Sequence, residues 1–345
     1  MASPHVSIKD IARAAGVSYS TVSRALNENP AISQEVRERV QTIAQEMGYT
    51  PNALAQSLHF RLTHSIGVVI TTIADPFFAD VVHGVEEIAQ EADLSVFLSA
   101  SNNDPEREMR IIETYARRRV DGIIVAASRI GEDYAGQLDE IRIPVIMVNN
   151  QAPDHYRNLC SISVDDYQGA CLAVDHLIAL GHTRIGYIGV SNRPSSNAHR
   201  LQGYTDTLEK HGIIPQSGWV GIGAATGYED FKSDLQVGHE LAPALIQNGV
   251  TGLFCYCDTV AIGALMACRK LGIPVPEAIS IIGFDDNDMC EIVTPQLTTI
   301  HQPKRRMGQL AMKMLLSCMH GEIISDCILE PKLVRRASTA SLQKT

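Results

Sequence analysis

The 345-residue sequence has no run of eighteen apolar residues and no apolar segment near its first methionine. A membrane-spanning helix needs about 20 such residues, so neither membrane insertion nor secretion is expected, and cytoplasm is the predicted compartment. Positive charge is not in excess either: 39 acidic against 29 basic side chains leave a net charge of −10. That excludes a uniformly basic coat for nucleic acid. None of the eight cysteines forms a CxxC pair, and Cys255 and Cys257 stand too close together for ordinary zinc-finger ligation. Reduced, mostly buried thiols and no metal site are expected. A GxSxG elbow, an HExxH helix and a P-loop are all missing. The glycines of GIGAATG, residues 221–227, have the wrong spacing for a dinucleotide fingerprint and read as a surface loop. Asp285 and Asp286 are neighbours on a turn, where side chains point apart rather than forming an acid/base pair, and His199 beside Arg200 has no nucleophile to serve. No catalytic residue and no cofactor is therefore assigned, and an enzyme is not expected.

What is present begins with a difference between the two parts of the chain. Residues 1–64 carry six Lys/Arg and five acids, near +1, whereas the remainder carries 23 against 34. A near-neutral head permits phosphate contact, and an acidic body discourages it. Residues 7–48 read as three short helices. Ser7 and Asp10 form a capping box ahead of Ile8, Ile11, Ala12 and Ala15, and Gly16 stops that helix. Ser18 caps the next, whose apolar stripe is Val22, Ala25 and Leu26; the third starts at Ser33 and buries Val36, Val40, Ile43 and Met47 before Gly48. Helix, tight glycine turn, helix is the helix-turn-helix arrangement, in which the second helix enters a DNA groove. In GVSYSTVSRALN the outward residues are Tyr19, Ser20, Ser23 and Arg24. An arginine can fork onto guanine O6 and N7, and small neighbours let the helix approach the groove closely. The competing reading is a capped surface helix whose polar side meets water.

After Pro51, NALAQSLHF supplies barely two turns of helix, too few to hold alone in water. Leu54 and Leu58 on this polar link suit a partner chain or a minor-groove base step, the competing reading being a plain linker with two incidental leucines. From Ser65 the pattern becomes strand, turn, helix, repeated, which argues a parallel sheet covered by helices. SIGVVI at 65 recurs as RIGYIG at 184, displaced by 119, and VDGIIVAAS at 120 as VTGLFCYCD at 250, displaced by 130. Two similarly built halves follow. Ligands of such sheets sit beyond the carboxyl ends of the strands. The candidates there are Asp75, Phe77, Phe78, Asn149, Asn150, Asp258, Asp285 and Asp286, with Arg200 opening a helix after RIGYIGV. Carboxylates, amides, a guanidinium and aromatic rings together hydrogen-bond polyols and stack on their apolar faces.

IKDIARAAGVSYSTVSRALN, then YTPNALAQSL, SIGVVI, DPFF, VDGIIV, LGHTRIGYIG, IIGFDD and LTTIHQP resemble the lactose-repressor/galactose-repressor family of bacterial transcription regulators over nearly the whole chain. The resemblance implies a small all-α helix-turn-helix head (1–50), a hinge helix and linker (51–64) and an α/β effector-binding and dimerisation body (65–345). That body is a two-lobed parallel-sheet structure like a type I periplasmic binding protein, with lobes of about 65–160 plus 293–325 and 161–292 plus 326–340. It further implies a homodimer, or a dimer of dimers, on a pseudo-palindromic double-stranded DNA operator. A repressor is expected, controlled by a small molecule between the lobes, most simply a sugar or sugar derivative, with a purine as alternative. Carried over by motif, Tyr19, Ser20 and Arg24 read bases, Ser18, Thr21 and Asn27 hold phosphates, and Ser7 and Ser23 join the DNA-facing set. Leu58 is the minor-groove wedge, with Asn52 and Ala55 close to the DNA. Arg200 and Asp285 match effector contacts; Asp75, Phe77, Phe78, Asn149 and Asp258 match further pocket positions. Two departures stand out: Cys257 replaces the Asn that many sugar-responsive members carry, and AATGYEDFKSDLQVGHE is longer than usual. The rival expectation is a cytoplasmic small-molecule sensor whose head contacts protein.

Overall fold

The computed structural model describes residues 6–27, 29–49, 63–127, 141–149, 159–224 and 230–342. Two compact units divide at Thr63 and His64. The expected hinge residues Asn52, Leu54, Ala55 and Leu58 lie outside the described residues.

In the first unit helices form where the capping signals stand: α1 (Ile8–Ala15), α2 (Tyr19–Leu26) and α3 (Gln34–Glu46). The Asp10 carboxylate accepts from the Ser7 amide at 3.0 Å and from its hydroxyl at 2.6 Å. Those bonds hold its pKa below the usual carboxylate value. Gly16 ends α1 at φ 65°, a left-handed conformation that strains any side chain, and its N–H reaches the Ala12 carbonyl. Ser18 Oγ accepts from the Thr21 N–H at 3.1 Å, a cap worth about 1 kcal/mol. Ile11, Ala15, Val22, Ala25, Val40 and Ala44 form the core, with Ile8, Ala12, Leu26, Val36, Ile43 and Met47 packed around it. Ala44 rather than Ile43 reaches the centre, because three buried alanines let three short helices approach closely. Each fully buried Ile or Val contributes about 1.5–3 kcal/mol.

In the second unit, apolar runs bounded by turns become parallel strands, and those in the middle of a sheet are buried on both faces. One sheet contains β1 (Ser65–Ile70), β2 (Ser95–Ala100), β3 (Gly122–Ala126), β4 (Val145–Val148), β5 (Leu159–Val164) and β11 (Cys327–Leu329), in the order β11-β5-β4-β3-β1-β2. The other contains β6 (Ile185–Val190), β7 (Val220–Gly223), β8 (Gly252–Cys255), β9 (Ser280–Asp285), β10 (Thr298–His301) and β12 (Lys332–Val334), in the order β12-β10-β9-β8-β6-β7. The two orders are the same strand for strand. Ile66 pairs with Gly122 across β1 and β3, and Ile185 with Gly252 across β6 and β8. Those registers differ by 119 and 130 residues, the displacements of the internal sequence echo. Only β10–β12 is antiparallel among the described pairs.

Three expectations need correction. The lobe joins foreseen at 160, 292 and 325 fall too early: β5 and β11 belong to the first sheet, and β10 pairs with β9 in the second. An apolar run announces a strand, but its hydrogen-bond partners decide which of two similar sheets accepts it. Residues 221–223 of the supposed surface loop form the edge strand β7. Arg200 does not open its helix, which starts at Pro194.

Paired glycines bring helices together in each lobe. A Cβ at Gly308 would run into the Val81 carbonyl oxygen, and one at Gly84 into that of Arg305, so helices Pro76–Glu91 and Lys304–Met319 touch backbone to backbone. In the second lobe Gly238 meets the Val260 carbonyl and Gly263 that of Leu235, between helices Asp230–Gln247 and Asp258–Leu271.

Candidate functional site

The polar side of α2 is open to solvent. Tyr19 is 55 % exposed; Ser18, Ser20, Arg24 and Asn27 are exposed, Thr21 and Ser23 half-buried, and Ser7 is exposed at the start of α1. Buried Val22 and Ala25 hold this face outward from the opposite side of the helix. Ser18 Oγ lies 2.8 Å from both Ser20 Oγ and Thr21 Oγ1, so the hydroxyls form one cluster. No ion pair among the described residues engages Arg24, leaving a guanidinium with five donors beside hydroxyls and a phenol. Such a face can address base edges and phosphates.

In the second unit the segments after β1, β3, β4, β6, β8 and β9 line a cleft of about 510 Å³ between the lobes. Of the expected pocket residues, Asp75, Phe77, Phe78 and Asn149 reach it from the first lobe, and Arg200 and Asp285 from the second. Asn150 lies outside the described residues. The Phe77 and Phe78 rings meet edge to face, 5.3 Å apart. Asp75 caps its helix by accepting from the Phe77 N–H at 3.0 Å, and its other oxygen lies 3.2 Å from the Arg193 guanidinium of the opposite lobe.

Arg200 is buried and held by protein acceptors. Its Nε donates to Asp166 at 2.8 Å, a second guanidinium nitrogen lies at the same distance, and NH1 donates to the Tyr256 carbonyl at 2.5 Å. The guanidinium stands 3.6 Å from the Phe284 ring centroid and 4.4 Å from that of Tyr256. Asp285 Oδ1 accepts from Gln302 Nε2 at 2.6 Å and lies 3.9 Å from Arg200. Burial pushes the Asp285 carboxyl up, against the pull of Arg200. Asn149, Asp285 and Asp286 have φ of 54°, 116° and 56°, sparsely populated conformations that persist where surroundings impose them. At the two aspartates Lys304 does so, its Nζ donating to the Asp285 and Asp286 carbonyls at 2.7 Å each. The two acids diverge as expected of turn neighbours: Asp286 turns to His301 and Arg336, each at 2.8 Å. Burial would raise the Asp286 carboxyl, but those two partners outweigh it and hold it below its ordinary value.

Asp258 is the correction. It is fully buried and does not line the cleft. Its Oδ1 accepts from Thr299 Oγ1 at 2.5 Å and its Oδ2 from the Asn287 N–H at 2.8 Å, so it ties the start of its helix to β10 and to the turn after β9. A strand-end acid here serves the scaffold, and burial pushes its carboxyl up.

Several cleft residues were missed. Arg193 and Ser196 follow β6 just as Asp75 follows β1, so the strand-end rule that found one could have found the others. Gln302, the residue directly after β10, falls under the same strand-end rule, whereas Asp234, in a helix interior, left no such signal. Lys304, which supports the site without lining the cleft, was missed as well, although it left a signal as a cation in the first turn of a helix, where the dipole disfavours it unless it is bound. Cys257, standing where an amide was expected, places its Sγ 3.7 Å from Asp234 Oδ2. Tyr228 and the Phe231 side chain, the aromatics considered for the long segment, lie outside the described residues, and Tyr256 supplies a ring to the cleft. Among the described residues no His, Cys, Asp or Glu cluster could hold a metal, and no helix is long and apolar enough to cross a membrane.

Residues 7–52 match the family described as "Bacterial regulatory proteins, lacI family", and residues 174–339 match a "Periplasmic binding protein-like domain". The HTH-type transcriptional regulator GalS of Salmonella typhimurium is 34% identical over 340 residues, 97% of each chain. The HTH-type transcriptional repressor PurR of Haemophilus influenzae is 36% identical over 313 residues, 90% of each chain. A Lac repressor dimer, solved bound to operator and the anti-inducer ONPF, is similar with a TM-score of 0.85 at 28% identity, over 97% of this chain and 99% of that one. These relatives are transcription regulators rather than enzymes, which decides between a DNA-facing and a protein-facing head. With an exposed helix-turn-helix face, a two-lobed body around one polar and aromatic cleft, and this likeness along nearly its full length, the chain belongs to the lacI family of bacterial regulatory proteins, DNA-binding transcription regulators with a ligand-binding body.

Proposed function

We propose that this regulator represses by binding a pseudo-palindromic operator as a homodimer, and that a sugar or sugar derivative in the interlobe cleft sets its operator affinity. The observation that carries the effector reading is the cleft wall itself: Phe77, Phe78 and Tyr256 present rings while Asp75, Asn149, Asp285 and Gln302 present hydrogen-bonding atoms. Rings cover the apolar faces of a sugar, and carboxylates and amides take its hydroxyls. A purine would also stack, but the wall offers more acceptors than its few N–H groups need.

In the head, Tyr19, Ser20 and Arg24 read bases in the major groove; Ser18, Thr21 and Asn27 hold phosphates, with Ser7 and Ser23 alongside. Asn52, Ala55 and Leu58 of the hinge follow the minor groove, Leu58 as the wedge. Effector binding alters the separation of the two hinges. A segment of two turns folds only with help, so its separation from a second copy decides whether it folds on DNA.

Thermal-shift screening of the full chain against sugars, sugar acids and purines tests this, because a cleft ligand stabilises the folded body by mass action. A sugar that raises the midpoint and also changes operator affinity is the expected result. A purine as the sole hit replaces the effector class; a hit that leaves operator affinity unchanged defeats the allosteric reading.

A further inference from the structure

Arg193 stands between two carboxylates. Its NH1 lies 2.7 Å from Asp234 Oδ2 and its NH2 3.2 Å from Asp75 Oδ2, so one guanidinium joins the second lobe to the first across the cleft. Asp234 Oδ2 also receives the Cys257 thiol at 3.7 Å. Its other oxygen, Oδ1, is enclosed and has no hydrogen-bond partner among the described residues, although Asp234 lines the cleft and is only 3 % exposed. Buried carboxylate oxygens in folded proteins have donors, and leaving one without is costly. The other cleft guanidinium, on Arg200, is taken up by Asp166 and the Tyr256 carbonyl.

Both cations of the cleft are thus matched by protein acceptors, and an acceptor oxygen is left over. We infer that Asp234 is a specificity-determining residue: its Oδ1 takes a hydroxyl of an uncharged sugar ring, and the cleft rejects sugar acids and sugar phosphates. This rests on the proposed sugar-binding role and narrows it. An anionic group would compete with Asp75 or Asp166 for its arginine and would place negative charge beside Asp234, at a cost that a hydroxyl does not incur.

The test uses the full chain and isothermal titration with D-glucose, D-galactose and D-ribose, their monodeoxy analogues, D-gluconate and D-glucose 6-phosphate. The expected result is that at least one neutral sugar binds the unaltered protein while gluconate and the phosphate bind at least tenfold more weakly. One monodeoxy analogue of that sugar should lose tenfold or more against the unaltered protein and about twofold or less against Asp234→Asn, the coupling that a direct hydroxyl–carboxylate bond produces. A purely structural role for Asp234 would weaken the parent and the deoxy sugar alike. If Asp234→Asn does not fold, as its melting profile without sugar shows, the comparison of neutral and anionic sugars on the unaltered protein still decides. Tighter binding of gluconate or the phosphate than of the parent sugar overturns the inference. A neutral sugar that binds with unchanged affinity and deoxy pattern in Asp234→Asn overturns the role of Asp234 and leaves the sugar-binding reading intact. Silence from every neutral sugar overturns both.

Discussion

Single residues divide into those that meet a partner and those that hold other residues in place. Arg24 is exposed on α2, and replacing it by alanine should weaken operator binding by about 1–3 kcal/mol and relax preference at one base position, read by binding to an operator series. An unchanged sequence preference would contradict the groove assignment. Asp258 belongs to the second class. Asp258→Asn puts an amide where both oxygens now accept, from Thr299 and from the Asn287 N–H, and should lower stability by about 1–3 kcal/mol in urea unfolding. His182 makes a pH prediction. It is buried between Thr251, Ser280 and the Ala340 carbonyl, and burial lowers its pKa below the ordinary 6.5. The unfolded chain then binds a proton that the folded one refuses, so stability is full above the unfolded value and falls as pH drops below it. The thermal midpoint should decline between about pH 7 and 5.5, with faster hydrogen exchange in the C-terminal segment that His182 anchors, and His182→Gln should lessen the decline.

Elements are joined by backbone contact as much as by side chains. Gly308→Ala would drive a methyl group into the Val81 carbonyl and separate the helices Pro76–Glu91 and Lys304–Met319. A cost of about 1–3 kcal/mol or more is expected, measurable as a lower urea midpoint, and Gly263→Ala should behave alike in the second lobe. An alanine tolerated at both positions would show that the helices can part without loss. The proposed hinge is read from sequence alone, and its length is too short to fold unaided. Leu58→Ala should reduce operator affinity while leaving effector affinity nearly intact; equal loss of both would point to misfolding instead.

At the scale of the whole molecule, the matched strand orders of the two sheets make the body a pair of similar lobes with the proposed effector cleft at their seam. Coupling of about 1–3 kcal/mol between that seam and the operator is enough to regulate, and it must appear equally in effector affinity with and without DNA. Titrating salt against binding to random duplex should give a steep negative log-log slope, since the head displaces counterions when it meets phosphates. A flat response would return the head to protein contact.

Local signals sufficed for the head, because caps and glycine stops act within four residues: Ser7, Gly16 and Ser18 each lie where a helix begins or ends. The repeat, too, was legible, since two similar halves repeat their apolar runs, and strand ends then pointed to Asp75, Phe77, Phe78, Asn149 and Asp285. Only tertiary structure decided which sheet received β5, β10 and β11, because pairing is a choice between partners far apart in the chain. It also separated Asp258, sunk beneath the cleft, from Asp285 at its wall, and brought Asp234 and Arg193 to face Asp75. Burial and charge pairing depend on what the rest of the chain packs around a residue, and no local pattern carries that.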